Sequence, residues 1–155
     1  FSENLENLPD YKNLGPEPLS REFDLEKFQE ILEKARGKIK KVLMDQNKIA
    51  GIGNIYSDEI LFEARISPLR ETQKLKAKET KILYLAIKKI LKKAIEARGT
   101  SVSDYRRPSG EKGNFEKFLK VYRREGKPCP RRCGGKVQRL KFGGRSSHFC
   151  PRCQK

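Results

Sequence analysis

The sequence predicts a mainly α-helical fold with a small β element at its carboxyl end. Apolar residues recur at helical spacing through much of residues 24–98, and the pattern changes to short alternating runs only after residue 117. All four cysteines lie in the last 27 residues, on either side of a Gly-Gly pair. At 155 residues, the chain is long enough for one domain or two small ones with a modest apolar core.

Residues 1–23 are predicted to be a linker that follows a preceding segment. They contain three prolines and show no sustained apolar period. We expect the helical domain to occupy residues 24–122 and a separate cysteine-containing unit to occupy residues 123–155.

Four helices are predicted between the linker and the cysteines. The first is capped by Asp24 and stopped by Gly37, and the last carries a broad apolar stripe that ends at Gly99. Between them, two glycines interrupt the helical pattern just before a new start at Asn54. The predicted spans are residues 24–35, Lys40 to Asp45, Asn54 to Phe62 and Leu75 to Arg98, and Pro68 closes the third segment.

The period changes after the last helix. Residues 99–114 form a polar loop, long enough to be either functional or disordered. Phe118 to Tyr122 suits a short strand, and two further runs, Lys136 to Phe142 and Arg145 to Phe149, flank the Gly-Gly pair. That arrangement predicts a β-hairpin.

The charge balance indicates a polyanionic partner. Lys and Arg number 36 against 20 Asp and Glu, which gives a net charge of +16 and a pI near 9.9. The net charge rises from −4 over residues 1–37 to +7 over residues 38–105 and +13 over residues 106–155. Nucleic acid is the leading candidate, because neutralised phosphates release counterions. A membrane surface is the alternative, but no apolar run approaches about 18 residues and no signal pattern opens the chain, so we expect a cytoplasmic protein.

The cysteines predict a structural zinc site. Cys129 and Cys133 precede the hairpin and Cys150 and Cys153 follow it, so the hairpin brings the two pairs together. Four thiolates fill the tetrahedral shell of one Zn²⁺ and leave no position for water. A pair of disulfides is the alternative, disfavoured in a reducing compartment. The single histidine, His148, is then an ordinary strand residue.

Two positions are candidate phosphate ligands. Arg145 lies beside the hairpin tip, where its guanidinium can reach a groove or a phosphate, although many surface arginines are only solvated. Gly51, Gly53 and Asn54 precede a helix start, where free backbone N–H groups and the helix dipole favour an anion. Most glycine turns before helices bind nothing, so both positions are hypotheses.

Three stretches carry a family resemblance. The run from Leu43 to Glu59 (LMDQNKIAGIGNIYSDE) resembles the helix-two-turn-helix signature of the formamidopyrimidine-DNA glycosylase and endonuclease VIII family. The segment Leu14 to Leu19 is similar to the stretch after that family's interdomain linker, and residues 126–129 with 150–155 are similar to its terminal zinc finger. The resemblance implies a helix-two-turn-helix domain followed by a zinc-finger β-hairpin, which bind damaged double-stranded DNA.

The resemblance also assigns roles to individual residues. Asn54, with Gly53 before it, and Arg145 correspond to groups that bind phosphates beside the damaged nucleotide, and Tyr122 to a further contact with the DNA backbone. The loop after Gly99 resembles the formamidopyrimidine-type loop that closes over an everted 8-oxoguanine, which favours oxidised purines. Its implied contact residues are Thr100, Val102, Ser103, Asp104 and Tyr105.

Two departures from the family pattern affect these expectations. The first cysteine pair is CxxxC in place of CxxC, so its knuckle must bulge. The family nucleophile is an amino-terminal proline, whereas this sequence opens on Phe1, and the nitrogen of the internal Pro16 is an amide that cannot form a Schiff base. We therefore expect no catalytic residue here, and a monomer that binds DNA without cleaving it, with the catalytic amino-terminal domain missing.

Two rival functions remain open at the level of sequence. One is a non-enzymatic nucleic-acid-binding zinc protein associated with RNA or the ribosome. The other is a zinc ribbon that makes protein contacts, for which Arg145 would not matter to DNA affinity.

Overall fold

Four α-helices and a carboxyl-terminal β-hairpin make up the fold in a computed structural model that describes residues 14–97 and 115–155. The mainly helical prediction with a small β element is confirmed. The elements are α1 (Leu25–Lys34), α2 (Ile39–Met44), α3 (Asn54–Ala64), α4 (Ala77–Glu96), β1 (Gln138–Phe142) and β2 (Arg145–Phe149), with short 3₁₀ turns at Thr72–Lys74 and Phe115–Phe118. In the described residues no helix is long and apolar enough to cross a membrane.

The helix boundaries agree with the sequence pattern to within a few residues. The carboxylate of Asp24 accepts a 2.8 Å hydrogen bond from the N–H of Lys27 and so caps α1. Helix α4 begins at Ala77, two residues later than predicted, because the carboxylate of Glu79 accepts from the N–H of Lys76 and caps the helix there. Arg98 and the loop of residues 99–114 lie outside the described residues.

Helix α3 lies at the centre of the molecule. Its residues from Ser57 to Phe62 are all buried, and it packs against α4, α2 and β2. The apolar face of α1 packs against α4, where Phe28 contacts Phe23 and Tyr84. The central core contains 20 buried residues contributed by the helices and the segments between them. Burial on this scale supplies the helical part with an apolar core of its own.

Two tight turns connect α2 to α3. The side-chain oxygen of Gln46 accepts from the N–H of Gly51, and its nitrogen donates to the carbonyl oxygens of Met44 and Ile52. Gly51 adopts a φ of +89°, a conformation that glycine reaches without strain. Gly15 packs so closely on this connection that an added Cβ would lie 2.3 Å from the carbonyl carbon of Lys48. The Gln46 side chain and Gly51 therefore stabilise the two turns, and Gly15 allows its own segment to pack against them.

The predicted hairpin is confirmed. Strands β1 and β2 pair antiparallel with Phe142 opposite Arg145, and Gly143 and Gly144 form the turn with φ values of +59° and +78°. Two consecutive residues with positive φ match the type I′ turn that suits a twisted hairpin.

The predicted strand over Phe118 to Tyr122 is wrong. A 3₁₀ turn occupies Phe115–Phe118, and the residues that follow do not join a sheet. The N–H groups of Lys120, Val121 and Tyr122 donate instead to the carboxylate of Glu59. The buried side chain of Glu59 therefore accepts the hydrogen bonds that a partner strand would accept. The apolar pattern of residues 118–122 does not reveal this.

Candidate metal centre and nucleic-acid interface

The four cysteines converge on one point. Their sulfurs all lie within 4.8 Å of one another. The Sγ atoms of Cys129 and Cys153, and those of Cys133 and Cys150, are 3.5 Å apart, far beyond the roughly 2.05 Å of a disulfide. All four are free thiols, so the disulfide alternative is wrong.

The cluster fits one structural zinc ion. The backbone approaches closely at Gly135, where an added Cβ would lie 3.0 Å from Sγ of Cys150, and its N–H donates to Sγ of Cys133. A hydrogen bond from Cys153 lowers the pKa of Cys133 to about 6, and burial raises the pKa of Cys153 to about 12. Zn²⁺ bound between the four sulfurs would hold all of them as thiolates.

The longer first knuckle is accommodated by the backbone. Arg132 adopts a φ of +56° and Gly134 a φ of +90°, and the N–H of Arg132 donates to the carbonyl oxygen of Cys129. This is the bulge that the CxxxC spacing predicts. Arg131, which precedes Arg132 in this knuckle, contacts helix α3. Its guanidinium lies 4.0 Å from the ring centroid of Phe62 and donates to the carbonyl of Glu63.

A buried ion pair joins the helices to the hairpin. Nζ of Lys40 on α2 lies 2.8 Å from Oδ1 of Asp58 on α3, and it donates to the carbonyl of Ser146 and the hydroxyl of Ser147 on β2. The other carboxylate oxygen of Asp58 accepts from the N–H of His148 at 3.0 Å and contacts its Nδ1 at 2.9 Å. We call Lys40, Asp58 and His148 the clamp. Burial lowers the pKa of Lys40, and the charge of Asp58 opposes that shift.

A second buried carboxylate fixes the chain that enters the zinc unit. Glu59 accepts three backbone N–H groups at 2.8–3.0 Å, from residues 120–122. Burial raises the pKa of Glu59, and these hydrogen bonds oppose the shift. The N–H of Tyr122 is therefore already used, and its ring lies edge-on to His148 with centroids 4.8 Å apart.

Sequence reasoning missed the clamp and the role of Glu59. Lys40 stands among apolar positions of α2 and is 2% exposed, and His148, interpreted as an ordinary strand residue, is 4% exposed. Among the described residues, the metal-binding cluster consists of the four cysteines and does not include His148. Three consecutive residues of β2, Ser147 to Phe149, are buried because protein covers both faces of this strand. No alternation marks such a strand, so the sequence offers no signal.

Asn54 is the first residue of α3, and Gly53 is its N-cap. Gly53 contributes no side-chain cap, so the first N–H groups of the helix are open to an anion. Within the described part of the chain, the side-chain oxygen of Asn54 is buried without a hydrogen-bond partner. The fold does not use this amide.

Arg145 is exposed at the first position of β2, directly after the Gly-Gly turn. Asp58 on α3 binds His148 on β2, and farther along the chain Phe62 of α3 and Cys150, which follows β2, share the second core cluster. The helix and the strand therefore run past each other in the same direction, and their first residues lie at the same end. Asn54 precedes Asp58 by one turn, about 6 Å, and Arg145 precedes His148 by three strand residues, about 10 Å. Both candidate phosphate ligands therefore precede the Asp58–His148 contact, each on its own element.

The predicted loop residues Thr100, Val102, Ser103, Asp104 and Tyr105 lie outside the described residues. The neighbouring Phe118 does lie within them, and Nζ of Lys93 on α4 is 4.4 Å from its ring centroid. This contact joins the last turns of α4 to the segment that follows residue 114.

These features define a helical domain with two turns between helices, joined rigidly to a zinc-binding hairpin. Residues 14–106 match the helix-two-turn-helix domain of formamidopyrimidine-DNA glycosylase, and residues 126–155 match the zinc finger found in that enzyme and in isoleucyl-tRNA synthetase. The chain belongs to the formamidopyrimidine-DNA glycosylase family, as the resemblance implied.

Individual relatives agree with this assignment. The formamidopyrimidine-DNA glycosylases of Pelotomaculum thermopropionicum and Heliobacterium modesticaldum are 49% and 48% identical, over 97% and 95% of this chain and 54% and 53% of their own lengths. The crystal structure of the MutM (Fpg) protein of Thermus thermophilus matches with a TM-score of 0.91 and 44% identity, over 97% of this chain and 57% of that one. The Lactococcus lactis protein in complex with abasic-site DNA matches with a TM-score of 0.83 and 42% identity, over 93% and 52%. The chain spans about half the length of the curated relatives that it matches.

Proposed function

We propose that this chain binds duplex DNA at a damaged or abasic nucleotide and supplies the backbone grip of a base-excision-repair glycosylase. The proposal is supported by the positions of Asn54 and Arg145, which begin α3 and β2, two elements that the clamp joins. The Lactococcus lactis relative forms complexes with abasic-site DNA and with Fapy-dG DNA, which supports the same class of partner.

Each group of this grip suits a phosphate for a different physical reason. The open N–H groups at the start of α3 and the positive end of the helix dipole favour an anion, and the Asn54 amide adds a donor. The guanidinium of Arg145 can donate two parallel hydrogen bonds to phosphate oxygens. Zinc holds the hairpin rigid, so Arg145 loses little freedom on binding. The hydroxyl of Tyr122 is a further donor to the DNA backbone.

We assign damage recognition to the loop after Gly99. Its resemblance to the formamidopyrimidine-type loop supports an everted oxidised purine, 8-oxoguanine or a formamidopyrimidine, as the preferred lesion. Thr100 and residues 102–105 would contact that base, mainly through backbone groups. Enzymes that evert a base must compensate for its lost stacking, and such a pocket contributes to that compensation.

A polypeptide of these 155 residues is proposed to bind DNA without cleaving it. Base excision and strand cleavage in this family need an amine nucleophile, and the nitrogen of the internal Pro16 is an amide that cannot form a Schiff base. Because the chain spans about half of the length of its relatives, we assign the nucleophile to a catalytic amino-terminal domain and propose a monomer that acts in the bacterial cytoplasm.

Two assays test this function. The zinc-loaded chain is titrated with an abasic-site duplex, a matched intact duplex and structured ribosomal RNA in competition, and we expect the abasic duplex to bind tightest. Preference for the RNA would contradict the proposal and favour a ribosome-associated role. Incubation with abasic or 8-oxoguanine duplex and borohydride should trap no covalent complex, and a trapped complex would show that the chain contains a nucleophile.

A further inference from the structure

A basic cleft lies between helix α2 and the tip of the hairpin. It has a volume of about 490 Å³. Its charged lining consists of Arg36, Lys40, Lys41, Lys48 and Arg145 with a single acid, Asp45. The α2 side of this cleft belongs neither to the zinc site nor to the start of α3.

The five cations of the cleft are not equally available. Lys40 is committed to Asp58 in the clamp, and Lys48 pairs with Asp45 at 2.9 Å. Among the described residues, Lys41 and Arg145 form no ion pair, and Arg36 donates only to the carbonyl oxygens of residues 33 and 35. Three cations therefore face a cleft whose one carboxylate is already neutralised.

The hairpin turn holds Lys41 at the wall of this cleft. A Cβ built on Gly143 would lie 3.4 Å from Cε of Lys41 and 3.8 Å from its Nζ. These are ordinary contact distances, so the lysine stem packs beside the turn while the residue as a whole remains exposed. The positive charge of Arg145 contributes to the lowered pKa of Lys40 nearby, as expected where like charges are crowded. An anion in the cleft relieves that crowding.

We propose that this cleft binds a further phosphodiester of the DNA, with Lys41 as its principal ligand and Arg36 beside it. Duplex DNA carries phosphates at close, regular spacing, so a strand held at Arg145 presents its next phosphates to the adjoining surface. The grip then extends from the start of α3 across the hairpin tip to α2. This inference rests on the proposed DNA binding and adds one contact that the family resemblance does not assign.

The test compares Lys41→Ala with Lys41→Arg and with Lys81→Ala. Lys81 is a matched control because it is also an exposed helical lysine without an ion pair in the described chain, and it lies on α4 away from the cleft. Affinity for an abasic-site duplex is measured over a range of salt concentrations. We expect Lys41→Ala to lower the slope of log K against log salt by about 0.9, the value for one phosphate contact, and Lys41→Arg to retain it.

A scan with methylphosphonate linkages locates the contact. Neutralising one particular phosphate should weaken binding of the unmodified chain and have no effect on Lys41→Ala. An unchanged slope for Lys41→Ala, or an equal decrease in slope for Lys81→Ala, would overturn the proposed phosphate contact in the cleft. The Asn54 and Arg145 variants would still report DNA binding in that case. If those variants also leave the affinity unchanged, the proposed function fails together with the cleft.

Discussion

The helical domain and the zinc unit reach a fixed shape by different means. The helical core buries 20 residues, whereas the cluster around the zinc site buries five, two of which are cysteines. Residues 123–155 cannot form a stable apolar core of their own, so a metal and the surface of α3 replace it. The proposed phosphate ligands lie on both regions, so the proposed grip on DNA depends on the zinc unit and on the joint between the two regions.

The joint consists of buried charge as well as apolar packing. The clamp is 1–4% exposed, and the neighbouring Glu59 of α3 binds the N–H groups of residues 120–122. Buried ion pairs are weak sources of stability, yet losing one partner is costly because the other is left uncompensated. Such contacts specify how the two regions meet more than they stabilise either one.

Zinc removal should have the largest effect on stability, and it should affect the two regions differently. Structural zinc contributes about 10–16 kcal/mol of apparent binding free energy in zinc-finger peptides, so chelation should unfold residues 123–155 while α1 to α4 remain. Amide NMR spectra recorded before and after chelation measure this. Global unfolding on chelation would show that the regions are not separately stabilised.

Asp58→Ala should cost about 3–5 kcal/mol, because it leaves Lys40 buried without its counter-ion. Urea unfolding of the zinc-loaded chain measures the loss. Asp45→Ala is the control: its pair with Lys48 is about one-third exposed, and removing it should cost less than about 1 kcal/mol. Equal losses for the two variants would mean that burial of the clamp is unimportant.

Ile60→Ala should cost about 2–5 kcal/mol through a cavity in the helical core, where the side chain is fully buried. Leu140→Ala in β1 provides the contrast, since Leu140 is 39% exposed and its removal should change the free energy of unfolding little. A large loss for Leu140→Ala would reveal an apolar role for the hairpin that the structure does not show.

Arg145→Ala should leave stability unchanged and weaken DNA binding by roughly 1–3 kcal/mol, in line with a hydrogen bond between charged groups. Arg152→Ala removes the same charge from another exposed position of the zinc unit and should have a smaller effect on affinity. Unchanged affinity for Arg145→Ala would favour a zinc ribbon that makes protein contacts.

The sequence predicts the features that local patterns encode. Helix periodicity, the Asp24 cap, the Gly143-Gly144 turn and the cysteine spacing each depend on residues close together in the chain. The clamp joins Lys40, Asp58 and His148 across more than 100 residues, and no periodicity marks such pairs. The prediction of a strand at residues 118–122 is wrong for the same reason. The acceptor for its N–H groups is the side chain of Glu59, about 60 residues away.

The central claim is that two separately stabilised regions form one grip on DNA. Its most direct test is the affinity of the zinc-loaded chain for an abasic-site duplex, compared with that of an Asn54→Ala, Arg145→Ala double variant shown by NMR to keep both folds. We predict that the double variant binds more weakly than either single variant, with a smaller salt slope. Affinity and slope equal to those of the unmodified chain would contradict the account.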